Sequence, residues 1–214
     1  MPISIKNISD FKNIEEYFKK HYPSYLEILS SIPIITVPED LWKKFRFNGY
    51  GYVVRTEDLL QNQMFLELAS NNQNYYKELP SNEHKRDVNL YRIWKNVKKD
   101  LFLVVREGGY SFIYIVHELA HLIDKKDEFE AFNFDDEYLD QKSEQFSHLN
   151  EIRFAINNGM GFKEYFKNSF PDVYDIIKKF ETGNRSVSEE EYNLSKMDER
   201  DYKKMWDYVW KLKK

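Results

Sequence analysis

The sequence predicts an α+β fold, with a small mixed sheet in the N-terminal part and a mostly helical C-terminal part. Short runs rich in β-branched and aromatic residues, typical of strands, lie before residue 108. Beyond that point, apolar residues recur at helical spacing. A chain of 214 residues is long enough for one well-buried core. We therefore expect a single domain over residues 1–214, with a mixed lobe at 1–108 and a helical lobe at 109–214.

The N-terminal lobe is expected to contain one helix and three strands. Residues 10–21 carry aromatic and aliphatic side chains at helical spacing, and Pro23 follows as a stop. The run "IPIITVP", from Ile32, lies between prolines, which favours a strand next to an edge or a turn. The runs "GYGYVVR", from Gly49, and "DLFLVVRE", from Asp100, are further strands, and we expect them to share one sheet.

Helices are expected throughout the C-terminal lobe. Ser111 can cap a helix whose interior is 112–124, directly after the last strand. A second helix is expected at 136–157, ending where Gly159 can adopt the left-handed conformation. Two more are expected at "FKEYFKNSF" and "DVYDIIKKF", and a last helix over 195–214.

The composition narrows the classes of partner and site. The formal net charge is −4, with 32 basic and 36 acidic residues interspersed, so no overall field attracts nucleic acid. The chain has no cysteine, so any metal must be held by His, Asp, Glu or water. No run approaches the roughly 18 apolar residues of a membrane span, and the N-terminus lacks a secretory signal. We expect a soluble protein, cytoplasmic or exported without a visible signal peptide, of undetermined oligomeric state.

The segment "IYIVHELAHLIDKK", residues 113–126, carries the strongest functional motif. In a helix, His117 and His121 lie one turn apart on the same face and can reach a single ion together. Glu118 is rotated from the pair by about 100° and can face a metal-bound water. Zinc lowers the pKa of bound water to about 7, and a nearby carboxylate can then take its proton. The motif predicts one Zn²⁺, with Glu118 as the general base.

A catalytic zinc site has three protein ligands and one open position, so a third ligand must lie elsewhere in the sequence. Asp127 follows His121 by six residues, the spacing of zinc motifs with a glycine turn between the two ligands. Asp124 occupies the position of that glycine, which argues against Asp127.

Two glutamates on the next expected helix are better candidates for the third ligand. Glu144 and Glu151 share a stripe with His148, at spacings of four and three residues. We favour Glu151, because an apolar face beside it can pack against the histidine helix, and Glu144 is the alternative. That face consists of Leu149, Ile152 and Ile156. His148 could be a ligand, a donor to the developing oxyanion, or an exposed helix residue, which is the default for a lone histidine.

These residues resemble the zincin metallopeptidases whose third ligand is a glutamate on a later helix. The segment "HELAHLID" is similar to the His-Glu-x-x-His-x-x-Asp segment of the anthrax lethal factor catalytic domain and the bacterial Pro-Pro endopeptidases. His117, Glu118, His121 and Asp124 match that segment. Asp124 could orient a ligand by accepting a hydrogen bond from it. The likeness implies a zincin-like fold in which the motif lies on the active-site helix.

Downstream segments extend the resemblance over roughly residues 100–180. The segments "EIRFA", from Glu151, and "PDVYDII", from Pro171, are similar to the Phe-Ala pair and the Pro-x-x-aromatic segment of those families. Tyr138, six residues before Glu144, partly matches their catalytic tyrosine. The ImmA-like zinc peptidases, which also have a "HELxH" helix and a later glutamate, are the second choice.

The motif and the resemblance together predict a zinc metallopeptidase, which cuts a peptide or protein substrate. Glu118 is the expected general base, and Tyr138 or His148 the expected oxyanion stabiliser. An edge strand upstream could pair with an extended peptide. Two alternatives stay open: a non-catalytic zinc-binding or protein-interaction module, and a zinc-dependent hydrolase of a non-peptide amide.

Overall fold

The computed structural model describes residues 3–108, 111–134, 136–184 and 186–213. The chain divides into two units, Met1–Leu119 and Ala120–Lys214. The division falls inside the helix that carries the histidine motif, beyond the lobe boundary that the sequence predicts after residue 108. Gly109 and Lys214, the two ends of the predicted helical lobe, lie outside the described residues. That the chain is one domain stays a prediction.

The elements confirm an α+β chain with a mostly helical C-terminal part. The strands are β1 (Ser4–Lys6), β2 (Ile34–Val37), β3 (Gly51–Arg55) and β4 (Leu101–Arg106). The first helices are α1 (Lys12–His21), α2 (Leu26–Ser31), α3 (Glu39–Lys44), α4 (Thr56–Leu59), α5 (Gln63–Asn71), α6 (Gln73–Lys77) and α7 (Asn82–Val97). The others are α8 (Ser111–Ala120), α9 (Lys142–Asn157), α10 (Phe162–Ser169), α11 (Pro171–Glu181) and α12 (Glu189–Leu212). None of these described helices is long and apolar enough to cross a membrane.

The four strands form one mixed sheet in the order β1-β2-β4-β3, which confirms that the predicted strands share a sheet. β2 and β4 are parallel, whereas β1 and β3 run antiparallel to their neighbours. The run from Ile32 forms β2, an inner strand that pairs with the edge strand β1, which agrees with the prediction of a strand next to an edge or a turn. Prolines cannot donate to the ladder, and here Pro33 and Pro38 flank β2 and leave its own N–H groups paired.

Helix α7 packs on one face of the sheet, and the sequence reading did not identify it. Its first half, "NEHKRD", is charged and hides the apolar spacing that follows. The local signal was Ser81, whose hydroxyl accepts the backbone N–H of His84 as an N-cap. The contact buries residues of both elements: Leu90 and Ile93 of α7 with Val54, Phe102 and Val104 of the strands.

Helix α9 is the most deeply buried helix among those described for the second unit. It begins at Lys142 and not at residue 136, because the segment before it is tied down by side chains. Asp136 accepts the N–H groups of Tyr138 and Leu139, which favours a turn over a helix. Gln145 exchanges two hydrogen bonds of 2.9 and 2.7 Å with the backbone of Phe132. The predicted left-handed residue after the helix, Gly159, is confirmed by a φ of 79°.

Helix α12 begins at Glu189, six positions before the start that apolar spacing predicted at residue 195. A capping box sets this start: Ser188 accepts the N–H of Glu191, whose carboxylate accepts the N–H of Ser188. The first turn contains three glutamates, which the positive end of the helix dipole favours. Capping chemistry therefore determines this boundary, since the first turn lacks apolar residues.

Asp198, on α12, makes stability depend on pH. Its pKa is raised from 3.8 to about 6 because the carboxyl group is partly buried and lies near the carboxylates of Asp136 and Asp201. The folded chain thus holds this proton more tightly than the unfolded chain, so stability is lost as pH rises from about 4 to about 6. We expect Asp198→Asn to raise the free energy of unfolding by about 1 kcal/mol at pH 7.5, after allowance for solvent screening.

Urea unfolding at pH 4 and at pH 7.5 measures this effect. At pH 4 the native carboxyl group is neutral and the unfolded one is about half neutral, so most of the difference in stability between the two chains should have disappeared. Asp175→Asn is the matched control, because Asp175 is exposed on α11 and the same change of charge should then have little effect at either pH. If Asp198→Asn raised the free energy of unfolding equally at pH 4 and at pH 7.5, the raised pKa of Asp198 would be contradicted.

Candidate metal centre

Helix α8 carries His117 and Glu118 and ends at Ala120. His121 therefore lies in the turn directly after the helix, and not inside a helix that continues to residue 124 as the sequence predicts. His117 is buried, with 8% of its surface exposed, and the side chain of His121 is 21% exposed. Most of the apolar residues around the pair are buried, namely Ile115, Val116, Leu119, Ala120 and Ile123. Glu118, between the histidines, is partly buried. A helix packed in this way holds its ligands in a fixed orientation.

Helix α9 adds a carboxylate and a third histidine. Glu144 and His148 lie one turn apart on α9, with the same sequence spacing of four as His117 on α8 and His121 just after its end. One ligand atom from each of His117, Glu144 and His148 lies within 4.8 Å of those of the other two. This buried His–Glu–His group could hold a metal ion.

His121 also approaches Glu144. Its Nε2 atom lies 3.6 Å from Glu144 Oε2, which is longer than a hydrogen bond. Two ligand atoms that each lie about 2.1 Å from a tetrahedral zinc ion are about 3.4 Å apart. The separation therefore fits two ligands of one ion. Imidazole nitrogens and a carboxylate, with no thiolate in the chain, are a donor set that suits zinc.

Glu151, the ligand that the sequence favours, lies beside His148 but is not a member of the His–Glu–His group. It is 2% exposed, and its two carboxylate oxygens contact Tyr165 and His148. The hydroxyl of Tyr165 donates to Oε1 at 2.7 Å, and His148 Nδ1 lies 3.2 Å from Oε2. Glu151 is not in the His–Glu–His group, whereas the alternative Glu144 is. Of the two glutamates, Glu144 is thus the one whose carboxylate lies near the ligand atoms of two histidines in this group.

Asp127, the other alternative, lies on the surface. Its side chain is 89% exposed, and its Oδ1 atom accepts a hydrogen bond of 3.0 Å from Lys142 Nζ. A carboxylate that is exposed and paired with a lysine is a poor candidate for a buried metal centre. This placement agrees with the glycine argument from the sequence, in which Asp124 stands where a turn would be needed.

His148 is buried, so the default expectation of an exposed helix residue is wrong. Both ring nitrogens contact side-chain oxygens. Nδ1 lies beside a carboxylate oxygen of Glu151, and Nε2 lies 3.1 Å from the hydroxyl oxygen of Tyr202. The pKa values of Tyr165 and Tyr202 are raised well above 10.0, first by burial and then by the charge of Glu151. Both phenols therefore stay protonated at neutral pH and can donate.

Tyr138 is half exposed and precedes α9. Its ring meets that of His148 edge-on, with the ring centroids 6.0 Å apart. It therefore lies near one member of the His–Glu–His group, although its hydroxyl group has no assigned role. Tyr165 and Tyr202 were not predicted as site residues, because no local sequence pattern connects them with a histidine at position 148. Glu144 did carry a signal, namely its spacing of four from His148.

Comparison of the chain with protein-family models, curated proteins and solved structures finds no match.

Proposed function

We propose that this chain is a zinc-dependent endopeptidase in which His117, His121 and Glu144 hold the metal. What supports this most is the buried His–Glu–His group, which contains the first histidine of the motif and Glu144. The separation of 3.6 Å between His121 Nε2 and Glu144 Oε2 supports His121 as the other ligand. When bound, zinc would lower the pKa of a coordinated water to about 7 and polarise the substrate carbonyl.

Glu118 supplies the base in this proposal. It follows His117 directly and is therefore rotated from the ligand pair by about 100°. Its carboxylate accepts the proton of the attacking water and passes it to the amine that leaves when the peptide bond breaks. A structural zinc site has no need of such a carboxylate, so the residue distinguishes an enzyme from a binding module.

His148 is not counted among the three proposed ligands, because other side chains contact it. Glu151 and Tyr202 already contact its two nitrogens, so His148 must give up one of these partners before it can bind a metal. Three protein ligands and a free position are what a hydrolytic zinc site requires. The role of His148 or Tyr138 in stabilising the oxyanion stays a prediction.

Metal analysis combined with a peptide library tests the proposal. We expect one zinc per chain after purification, and cleavage of library peptides that a chelator stops and added zinc restores. His117→Ala should lose both properties. His84→Ala is the matched control, because His84 is exposed and bonded to Ser81. A chain without zinc, or zinc binding unchanged in His117→Ala, would exclude the proposed centre, and cleavage of only non-peptide amides would change the substrate class.

A structural metal site is the second candidate, and the presence of His148 in the His–Glu–His group favours it. With His148 as fourth ligand, the site would be closed and no water could coordinate. His148→Ala separates the two functions. In the enzyme proposed above this variant keeps zinc binding within a few-fold of wild type, whereas in a closed site it weakens zinc binding by at least about 100-fold.

A further inference from the structure

The first residue of strand β3 touches the proposed general base. A Cβ atom placed on Gly51 would lie 2.6 Å from Oε1 and 2.8 Å from Cγ of Glu118. Real Cβ atoms do not approach other heavy atoms this closely, so any other residue at position 51 would displace the Glu118 side chain. Gly51 does not have a positive φ and pairs with Val105 in the sheet, so its backbone conformation is open to other residues. The need for glycine comes from Glu118.

The neighbouring residue fixes the strand against the helix. The ring of Tyr50 stacks on that of Tyr114, with centroids 4.4 Å apart and planes inclined by 10°. Tyr114 lies one turn before Glu118 on α8, so consecutive residues Tyr50 and Gly51 cover consecutive turns of one helix face. The guanidinium of Arg106 lies 5.2 Å from the centre of the Tyr50 ring. The backbone N–H of Arg106 also donates a hydrogen bond of 2.9 Å to the backbone carbonyl of Tyr50.

The same strand is held from its other face. Side chains alternate between the two faces of a strand, so those of Tyr52 and Val54 lie on the face opposite to the one on which a side chain at position 51 would meet Glu118. Both pack into the apolar cluster beneath α7, and Tyr52 stacks on Trp42 at 5.8 Å. The strand is therefore packed on both sides at this point. An added methyl group at position 51 would be relieved by movement of the flexible Glu118 side chain and not by movement of the strand.

We propose that Gly51 is a positioning residue for Glu118: the bare strand backbone, clamped by the Tyr50–Tyr114 stack, confines the Glu118 carboxylate to the side of the helix where it acts as base. This inference rests on the proposed function. Displacement of a catalytic group by about 1 Å can cost about 100-fold in rate. The loss should fall on kcat, because Gly51 in this role contributes nothing to metal binding.

Gly51→Ala tests the proposal against a matched control, Gly161→Ala. A Cβ at Gly161 meets nothing within 4 Å, and this glycine too lacks a positive φ. We expect Gly51→Ala to lower kcat by about 10- to 100-fold, with KM, zinc content and unfolding midpoint close to wild type. Gly161→Ala should match wild type in kcat, KM and zinc content, with a slightly lower unfolding midpoint because Gly161 is the N-cap residue of α10, where alanine is less favourable than glycine. Crystal structures of both variants should show a changed Glu118 side-chain conformation in Gly51→Ala alone.

The structural measurement keeps the inference testable even if no peptide is cleaved. An unmoved Glu118 in Gly51→Ala overturns the inference, and so does an unchanged kcat in a wild type that is active and binds zinc. Absence of zinc and of peptidase activity in the wild type overturns the proposed function instead. If Gly51→Ala does not fold, Tyr50→Ala serves, with Tyr50→Phe as the control that keeps the stacked ring. Tyr50→Ala should lower kcat and Tyr50→Phe should not, and equal kcat values in the two variants overturn the inference.

Discussion

Glu118→Gln is expected to lower the rate of peptide hydrolysis by a factor of about 10² to 10⁴ while one zinc per chain is retained. The amide has nearly the shape of the carboxylate but cannot accept the proton of the attacking water. Because Glu118 is not a ligand in the proposed centre, the metal and the fold should be unaffected. Initial rates on a cleaved library peptide, zinc content and thermal unfolding measured on the same preparation test all three expectations.

Glu57→Gln provides the control for this substitution. Glu57 is exposed at the start of α4, so the same loss of charge should leave kcat unchanged. Full activity in Glu118→Gln would mean that the motif does not act as a hydrolytic base, and the structural metal site would become the better function. Loss of zinc together with activity would instead place Glu118 among the ligands.

Glu144→Gln is expected to weaken zinc binding by at least about 100-fold, whereas Glu151→Gln should bind zinc within a few-fold of wild type. Glu144 lies in the His–Glu–His group and 3.6 Å from His121 Nε2. Glu151 contacts Tyr165 and His148 instead. The substitution is the same at both sites, so each variant is the control of the other. Competition with a zinc-sensitive dye measures both affinities.

Removal of the Glu151 carboxylate should also lower the stability of the chain when no metal is bound. Glu151 is buried and accepts a hydrogen bond from the phenol of Tyr165, which has a raised pKa and stays protonated. Glu151→Ala leaves that donor unsatisfied and should cost about 1–3 kcal/mol of unfolding free energy, most of which Glu151→Gln restores. If Glu151→Gln loses zinc and Glu144→Gln keeps it, the ligand is the one that the sequence favours, and the assignment from the structure is reversed.

The sequence predicted correctly several features of the structure that depend on residues close together in the chain. Residues one helical turn apart share a face whatever surrounds them, so the spacing of His117 and His121 predicted that they could reach one ion, although α8 ends at Ala120, one residue before His121. The β-branched runs that became β3 and β4 were recognisable for the same reason, since alternation and branching act within a strand. Helix α7 was missed because a charged first half concealed its apolar face, although Ser81 marked its start.

Local patterns alone were enough to predict a mixture of helices and strands, and to single out a histidine pair with the spacing of a metal-binding motif. The choice between Glu144 and Glu151 depends on tertiary contacts, because the two have similar spacings to His148 and differ only in what surrounds them. The proposal of Glu144 therefore rests on its place in the His–Glu–His group and not on a sequence pattern. Tyr165 contacts Glu151 from 14 positions away, and Tyr202 contacts His148 from 54 positions away. The approach of Gly51 to Glu118 is equally nonlocal. Such contacts arise from packing of separate elements, and helical or strand periodicity contains no information about them.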